Sequence, residues 1–236
     1  MIAKFGKKEH LEQLINGDIF FNSIQNYRDD GTDYRGDSME GCIPIDPTKV
    51  QLIDENGKDI LEGLPHPTSV INCFPNDTIL LMFCAAALTE EVVELHDDQK
   101  YFFTERFKNA VRPFGDYVLL TYISELISRI RSVTDDTGQM IACDSGRILY
   151  RDLNDYSDFS QYHTTGSVLD RYFVKSIKYK DQNEWRIIIN GEERSLIPNC
   201  GKGFLLKTSQ LSFATIMKTD EFLNTNVIPM DQAKEK

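Results

Sequence analysis

Apolar and polar positions along the chain switch between the period of a strand and that of a helix. Ile2–Phe5 is a short strand-like run. Lys7–Asn16 then places Leu11, Leu14 and Ile15 on one helical face, with Gly17 where a C-cap glycine belongs. Asp18–Asn22 carries Ile19, Phe20 and Phe21, so the opening predicts strand, helix and strand. From Gln25 to Gly41 the apolar period disappears and glycine and charge take over, which predicts a long loop. Val50–Ile53 and Lys58–Leu61 flank Asn56-Gly57, a hairpin turn signal. Leu64–Pro75 contains three prolines and should be irregular.

Ile79–Ala87 reads as a buried strand. Thr104–Val111 reads as a helix stopped by Pro113 and Gly115, Tyr117–Thr121 as a strand, and Ser124–Val133 as a helix with Leu126, Ile127 and Ile130 inward. Met140–Cys143 and Arg147–Tyr150 suggest a second hairpin around Asp144-Ser145-Gly146. Asp152–Gly166 reads as a loop or short helix. Tyr172–Lys175, Glu184–Asn190, Phe204–Lys207 and Phe213–Met217 are the last strands. Strands and helices do not alternate regularly, which disfavours a doubly wound parallel sheet. The expected class is α+β, a mostly antiparallel, partly split sheet with three or four helices, in one domain over residues 1–230 with a fraying tail from Asp231.

Composition narrows the function. With 26 Lys+Arg against 37 Asp+Glu, the formal net charge is −11. That field repels phosphate backbones, so broad nucleic-acid binding is disfavoured and a basic protein partner is favoured. The five cysteines (Cys42, Cys73, Cys84, Cys143, Cys200) are widely spaced without a CxxC, which suggests reduced thiols and a cytoplasmic protein. No run is long and apolar enough for a membrane span. None of the four histidines stands at ligand spacing with a cysteine, so no metal is expected. His163 could serve as a base, and the pairs Asp29-Asp30, Asp97-Asp98 and Asp135-Asp136 read as solvated turns.

The most informative segment runs from Tyr179 to Ile189. On a strand, Gln182, Glu184 and Arg186 share one face, while Trp185, Ile187 and Ile189 share the other, the core. A carboxylate and an amide side by side can accept from a sugar hydroxyl or stabilise a developing oxocarbenium ion. The plainer reading is a surface Glu184–Arg186 pair on an edge strand, worth under about 1 kcal/mol. In the polar stretch, Arg28 and Arg35 could line a cleft as guanidinium forks for a pyrophosphate, oriented by Asp37 and Glu40. A solvated loop with local ion pairs is the alternative. Lys175 is either a further phosphate contact or a surface lysine, and Cys84 reads as core.

The pattern Phe173-Val174-Lys175, Tyr179 and Gln182-x-Glu184-x-Arg186 resembles an uncharacterised bacterial family associated with phage defence. So do Lys4-Phe5-Gly6…Gly17-Asp18-Ile19-Phe20-Phe21-Asn22, Tyr27-Arg28…Arg35-Gly36-Asp37…Glu40-Gly41 and Phe114-Gly115-Asp116. More distantly, the strand-helix-Gly-strand opening and Gln182-x-Glu184 are similar to the ADP-ribosyltransferase superfamily. There a His-Gly pair on the first strand grips NAD; Gly6 matches the glycine, and Phe5 stands where the histidine would be. The resemblance implies an NAD-dependent transferase acting as a toxin or effector, with Glu184 and Gln182 catalytic and NAD gripped near Gly6; Arg28, Arg35 and Lys175 are the candidate cofactor contacts read from the charges. The replaced histidine and the negative charge leave a second implication open, a catalytically inactive ligand- or protein-binding module of a phage-defence or counter-defence system.

Overall fold

The computed structural model describes residues 1–65, 70–73, 80–96, 100–134, 138–159, 169–190 and 203–227. In chain order these form β1 (Ile2–Gly6), α1 (Lys8–Ile15), β2 (Asp18–Ser23), α2 (Ile24–Asp29), β3 (Ile43–Ile45), β4 (Val70–Asn72), β5 (Leu80–Ala87), β6 (Val93–Leu95) and β7 (Tyr101–Phe103). There follow α3 (Glu105–Val111), β8 (Tyr117–Thr121), α4 (Ile123–Arg131), β9 (Cys143–Arg147), β10 (Leu149–Arg151), β11 (Val174–Ser176), β12 (Glu184–Asn190), β13 (Phe204–Lys207), β14 (Ala214–Lys218) and α5 (Thr219–Leu223). Short 3-10 turns join several of them. The class is α+β, and the main sheet has eight strands with antiparallel ladders throughout.

β5 organises that sheet. One edge pairs from Leu80 to Ala86 with β12, which pairs in turn with β9. The other edge is shared. Its C-terminal end pairs with β1 through Ile2↔Ala87 and Ala3↔Ala86, and its N-terminal end pairs with β2 through Asn22↔Met82 and Ser23↔Leu81. Phe83, Cys84 and Ala85 have no strand partner on that edge, so the sheet forks. β1 carries on to β8 and β14, and β2 to β13. β5 can be apolar on both faces because both faces are covered (LLMFCAAA).

One face packs the largest core. Phe21, Leu81, Phe83, Leu119, Ile187 and Ile189 meet the inward residues of α1 and α4, Leu11, Leu14, Leu126 and Ile130. The opposite face carries two separate apolar clusters. Phe5, Ala86, Phe103, Phe107, Val118 and Phe222 lie under α3 and α5. Ile24, Leu80, Met82, Tyr172 and Ile188 lie under α2 and the 3-10 turn Asp170–Phe173. Between them, on the same face, sit polar side chains.

Several local expectations are corrected. α2 and α5 lie outside the three or four helices expected, making five α-helices among the described residues. α2 begins where the long loop was expected to, because the Ser23 hydroxyl accepts from the Asn26 N–H at 3.2 Å and caps it. The 50–61 segment closes around Gly57 with only the isolated bridge Ile53↔Asp59. There is no turn at Asp144-Ser145-Gly146: β9 runs straight through it beside β12, and β10 pairs in parallel with β11. Lys175 stands on β11, but Tyr172 and Phe173 belong to the preceding 3-10 turn. Residues 70–72, expected irregular, form β4.

Reduced thiols were expected throughout, yet Cys42 and Cys73 form a disulfide. The register explains it. Ile43↔Asn72 is the last pair of the β3–β4 ladder, so the next positions face each other with Cα atoms 4.6 Å apart. Cys84 and Cys143 are free. Cys200, His66, His163, Asp97-Asp98, Asp135-Asp136 and the tail from Asp231 lie outside the described residues. No helix among the described residues is long and apolar enough to cross a membrane.

Candidate functional site

The polar gap on the second face is filled from β12. Arg186 pairs with Cys84 and Glu184 with Ala86, so both side chains rise on the face that carries the two smaller clusters. Trp185, Ile187 and Ile189 turn to the main core, as the alternation predicts. β12 is flanked on both edges, so Glu184–Arg186 is no surface pair: Arg186 is 0% exposed and Glu184 6%. Glu40 and Lys175 are buried beside them.

These four residues form one network. Arg186 Nε donates to Glu184 Oε1 at 2.6 Å. Its Nη1 and Nη2 grip Glu40 through Oε1 at 2.5 Å and Oε2 at 2.8 Å, and Nη1 also donates to the Tyr172 carbonyl at 2.6 Å. Lys175 Nζ donates to Glu184 Oε2 at 3.0 Å and to Gln182 Oε1 at 3.2 Å. Two cations therefore face two carboxylates, the condition under which buried charge is tolerated. Burial pushes the Glu184 carboxyl up, but Arg186 and Lys175 together more than offset it, and the group sits well below its ordinary 4.5. Burial likewise acts on Glu40, where the cations recover less, and it lies above 4.5. The Glu184 N–H donates to the Tyr150 hydroxyl at 2.8 Å. Burial and the Glu184 charge push that phenol well up.

Glu40 arrives from the 31–41 loop, which is pinned from outside. Tyr179 donates its hydroxyl to the Gly36 carbonyl at 2.7 Å, and Gln182 Nε2 donates to the Tyr34 carbonyl at 2.7 Å. Arg28 Nε donates to the Glu40 carbonyl at 2.6 Å. Gln182 closes the 3-10 turn Ile177–Gln182 and is not on the strand. Asn183, left-handed at φ 44°, separates it from β12.

A cavity of about 1120 Å³ opens at the fork, just above the roughly 300–1,000 Å³ usual for ligand pockets. Its wall includes Leu11 and Leu14 from the main-core face and Glu40, Glu184 and Arg186 from the other. The cavity thus reaches both faces through the gap between β1 and β2. Gly6, Arg35, Lys175, Gln182 and Glu184, all candidates from the sequence, line it. Arg28 does not; it positions the Glu40 backbone. Arg35 stands exposed, its guanidinium 5.6 Å from the Tyr34 ring. Gly6 has room for a side chain, since an added Cβ would meet only Leu11, at 3.6 Å and beyond.

Two contributors were missed or misassigned. Glu40 orients Arg186, whereas the sequence suggested it served the loop arginines. Lys4 bridges the fork by donating to the Cys84 carbonyl at 2.6 Å. Its signal was present as a single cation in the otherwise apolar Ile2–Gly6. Among the described residues, no group of three or more His, Cys, Asp or Glu is gathered around a common point that could hold a metal. Comparison of the chain with family models, with curated proteins and with solved structures finds no match to any of them.

Proposed function

We propose that the chain is an NAD-dependent ADP-ribosyltransferase-like effector or toxin, acting in phage defence. The observation that carries this reading is the convergence of Gln182 and Glu184 on a cavity of about 1120 Å³ whose wall also holds Gly6, Arg35 and Lys175. In the reaction the bond between nicotinamide and its ribose breaks. Its electron pair leaves with nicotinamide, and positive charge develops on the ribosyl ring. Glu184, kept ionised by Arg186 and Lys175, supplies fixed negative charge to that ring. Gln182 positions the acceptor, whose nucleophile closes on the anomeric carbon and loses its proton. Arg35 and Lys175 face the pyrophosphate.

NAD consumption by the wild type and by Glu184→Gln tests the proposal. Loss of an electrostatic contact to a developing charge lowers turnover by roughly 10²–10³-fold. Equal turnover, or none from either protein, overturns it.

A second reading has its own observation. Both Glu184 oxygens already accept hydrogen bonds, from Lys175 and Arg186, as a structural carboxylate's would. On this reading the cavity is a binding module without turnover, and the net charge of −11 suits a basic protein partner. Relief of toxicity by Glu184→Ala on expression in bacteria favours the enzyme. An inert protein that binds NAD without consuming it favours the module.

A further inference from the structure

Lys4 is a cation at the fork that the proposed reaction leaves unused. It stands on β1 two residues beyond the pair Ile2↔Ala87, where β1 has already parted from β5. The fork leaves the Cys84 carbonyl without a strand partner, and the Lys4 amine supplies the missing donor at 2.6 Å. Its Nζ also lies 4.8 Å from the centre of the Phe83 ring. Among the described residues no carboxylate stands within ion-pair distance of it, in contrast to Lys175, which is 3.0 Å from Glu184.

A carbonyl accepts a hydrogen bond from a neutral amine as well as from an ammonium, although the ammonium bond is the stronger. Lys4 can therefore lose its proton and still donate to Cys84, and the neutral amine then carries a lone pair at a residue that lines the cavity. Burial pushes its pKa down, the nearby Glu184 charge opposes this, and the Arg35 charge adds to it; the net direction is down from 10.5. Lysines desolvated in this way act as nucleophiles toward carbonyl compounds. The surroundings also select a ligand. The Arg186 and Lys175 charges are engaged by Glu40 and Glu184 and that of Lys8 by Glu12, while Lys4, Lys7 and Arg35 line the same cavity together with the carboxylates of Glu9, Asp18 and Asp116.

We propose that Lys4 is a carbonyl-capturing amine and that the cavity accepts a phosphate-bearing aldehyde or ketone, which it holds as an imine. The nitrogen attacks the carbonyl carbon, a proton passes from nitrogen to oxygen to give the carbinolamine, and loss of water leaves the C=N bond. No oxidant or reductant is required. This assignment goes beyond the NAD reading and stands whether or not nicotinamide is ever cleaved.

The test uses the full chain with pyridoxal 5′-phosphate as probe, borohydride to reduce the imine, and peptide mapping to locate the label. The expected result is labelling of Lys4 several-fold ahead of the exposed Lys7 and Lys8, with its lead greatest toward neutral pH. Lys4→Arg, which keeps a donor for the Cys84 carbonyl, abolishes the fast phase; Lys7→Arg does not. Label spread evenly over the lysines, or absent from Lys4 in the wild type, overturns the proposal, and mapping of the wild type decides this even if the variant folds poorly. Prior addition of NAD separates the two ideas. Protection of Lys4 by NAD places both ligands in one cavity. Fast labelling that NAD leaves unchanged upholds the amine and counts against the NAD reading.

Discussion

Arg186 is the residue on which the second face of the sheet depends. It is fully buried, and it spends its guanidinium on two carboxylates from distant parts of the chain, Glu40 and Glu184, and on the Tyr172 carbonyl. Removing it while keeping its length, as in Arg186→Met, leaves two carboxylates with Lys175 alone. Breaking a buried pair in this way costs about 3–5 kcal/mol, and urea unfolding should show it; a loss below about 1 kcal/mol would mean the network is solvated. The same network sets an acid dependence. Glu184 titrates below its ordinary 4.5 when folded, so its contribution is present above 4.5 and is lost as the pH falls below it. Glu40, raised by burial, acts in the opposite sense and above 4.5. Wild-type stability should therefore fall more steeply than that of Glu184→Gln on acidification below 4.5; parallel curves would show that Glu184 carries no shifted pKa.

At the scale of elements, the sequence reads well wherever side-chain pattern and hydrogen bonding agree. Tyr117–Thr121, Glu184–Asn190 and Phe204–Lys207 fall where their apolar runs predict them. It reads poorly where backbone pairing is imposed from outside. β9 (CDSGR) has the composition of a turn, yet an edge strand takes its ladder from β12 whatever its side chains are. β3 and β4 are three residues each, too short for any period to show. Glycine is a further case. Gly6 was the candidate for close approach to a ligand, but the glycine that Gly6 itself leaves no room at is Gly115. There, at φ 154°, an added Cβ would lie 2.5 Å from the Gly6 backbone. Gly115→Ala should separate the β1 and β8 ends and cost about 1–3 kcal/mol. Gly6→Ala should change stability by less than about 0.5 kcal/mol. Thermal unfolding of the two variants checks the contrast, and equal losses would contradict it.

At the scale of the whole molecule, half of the site was legible. Gln182-x-Glu184-x-Arg186 is local, and strand alternation suffices to read Glu184 and Arg186, whereas Gln182 reaches the cavity from the 3-10 turn before β12, which alternation does not predict. Glu40, Lys4 and Lys175 are not local. They reach the same cavity because β1 and β2 share one edge of β5 and because the 31–41 loop is tied to the 177–182 turn, and a single sequence carries no signal for that tertiary pairing. The fork has a thermodynamic consequence. A ligand filling it touches β1, β2, β5 and β12 together, so binding can only stabilise the sheet as a unit. A ligand at a hundred times its Kd adds about 2.7 kcal/mol. The melting temperature should rise with NAD concentration at constant ionic strength. Arg35→Ala supplies the control. Arg35 is exposed at the cavity wall beside the Tyr34 ring, so its loss should leave the unliganded melting temperature nearly unchanged while reducing the NAD-dependent rise. A wild-type melting temperature that stays flat as NAD increases would remove the dinucleotide from the cavity, and an undiminished rise in Arg35→Ala would remove Arg35 from its recognition.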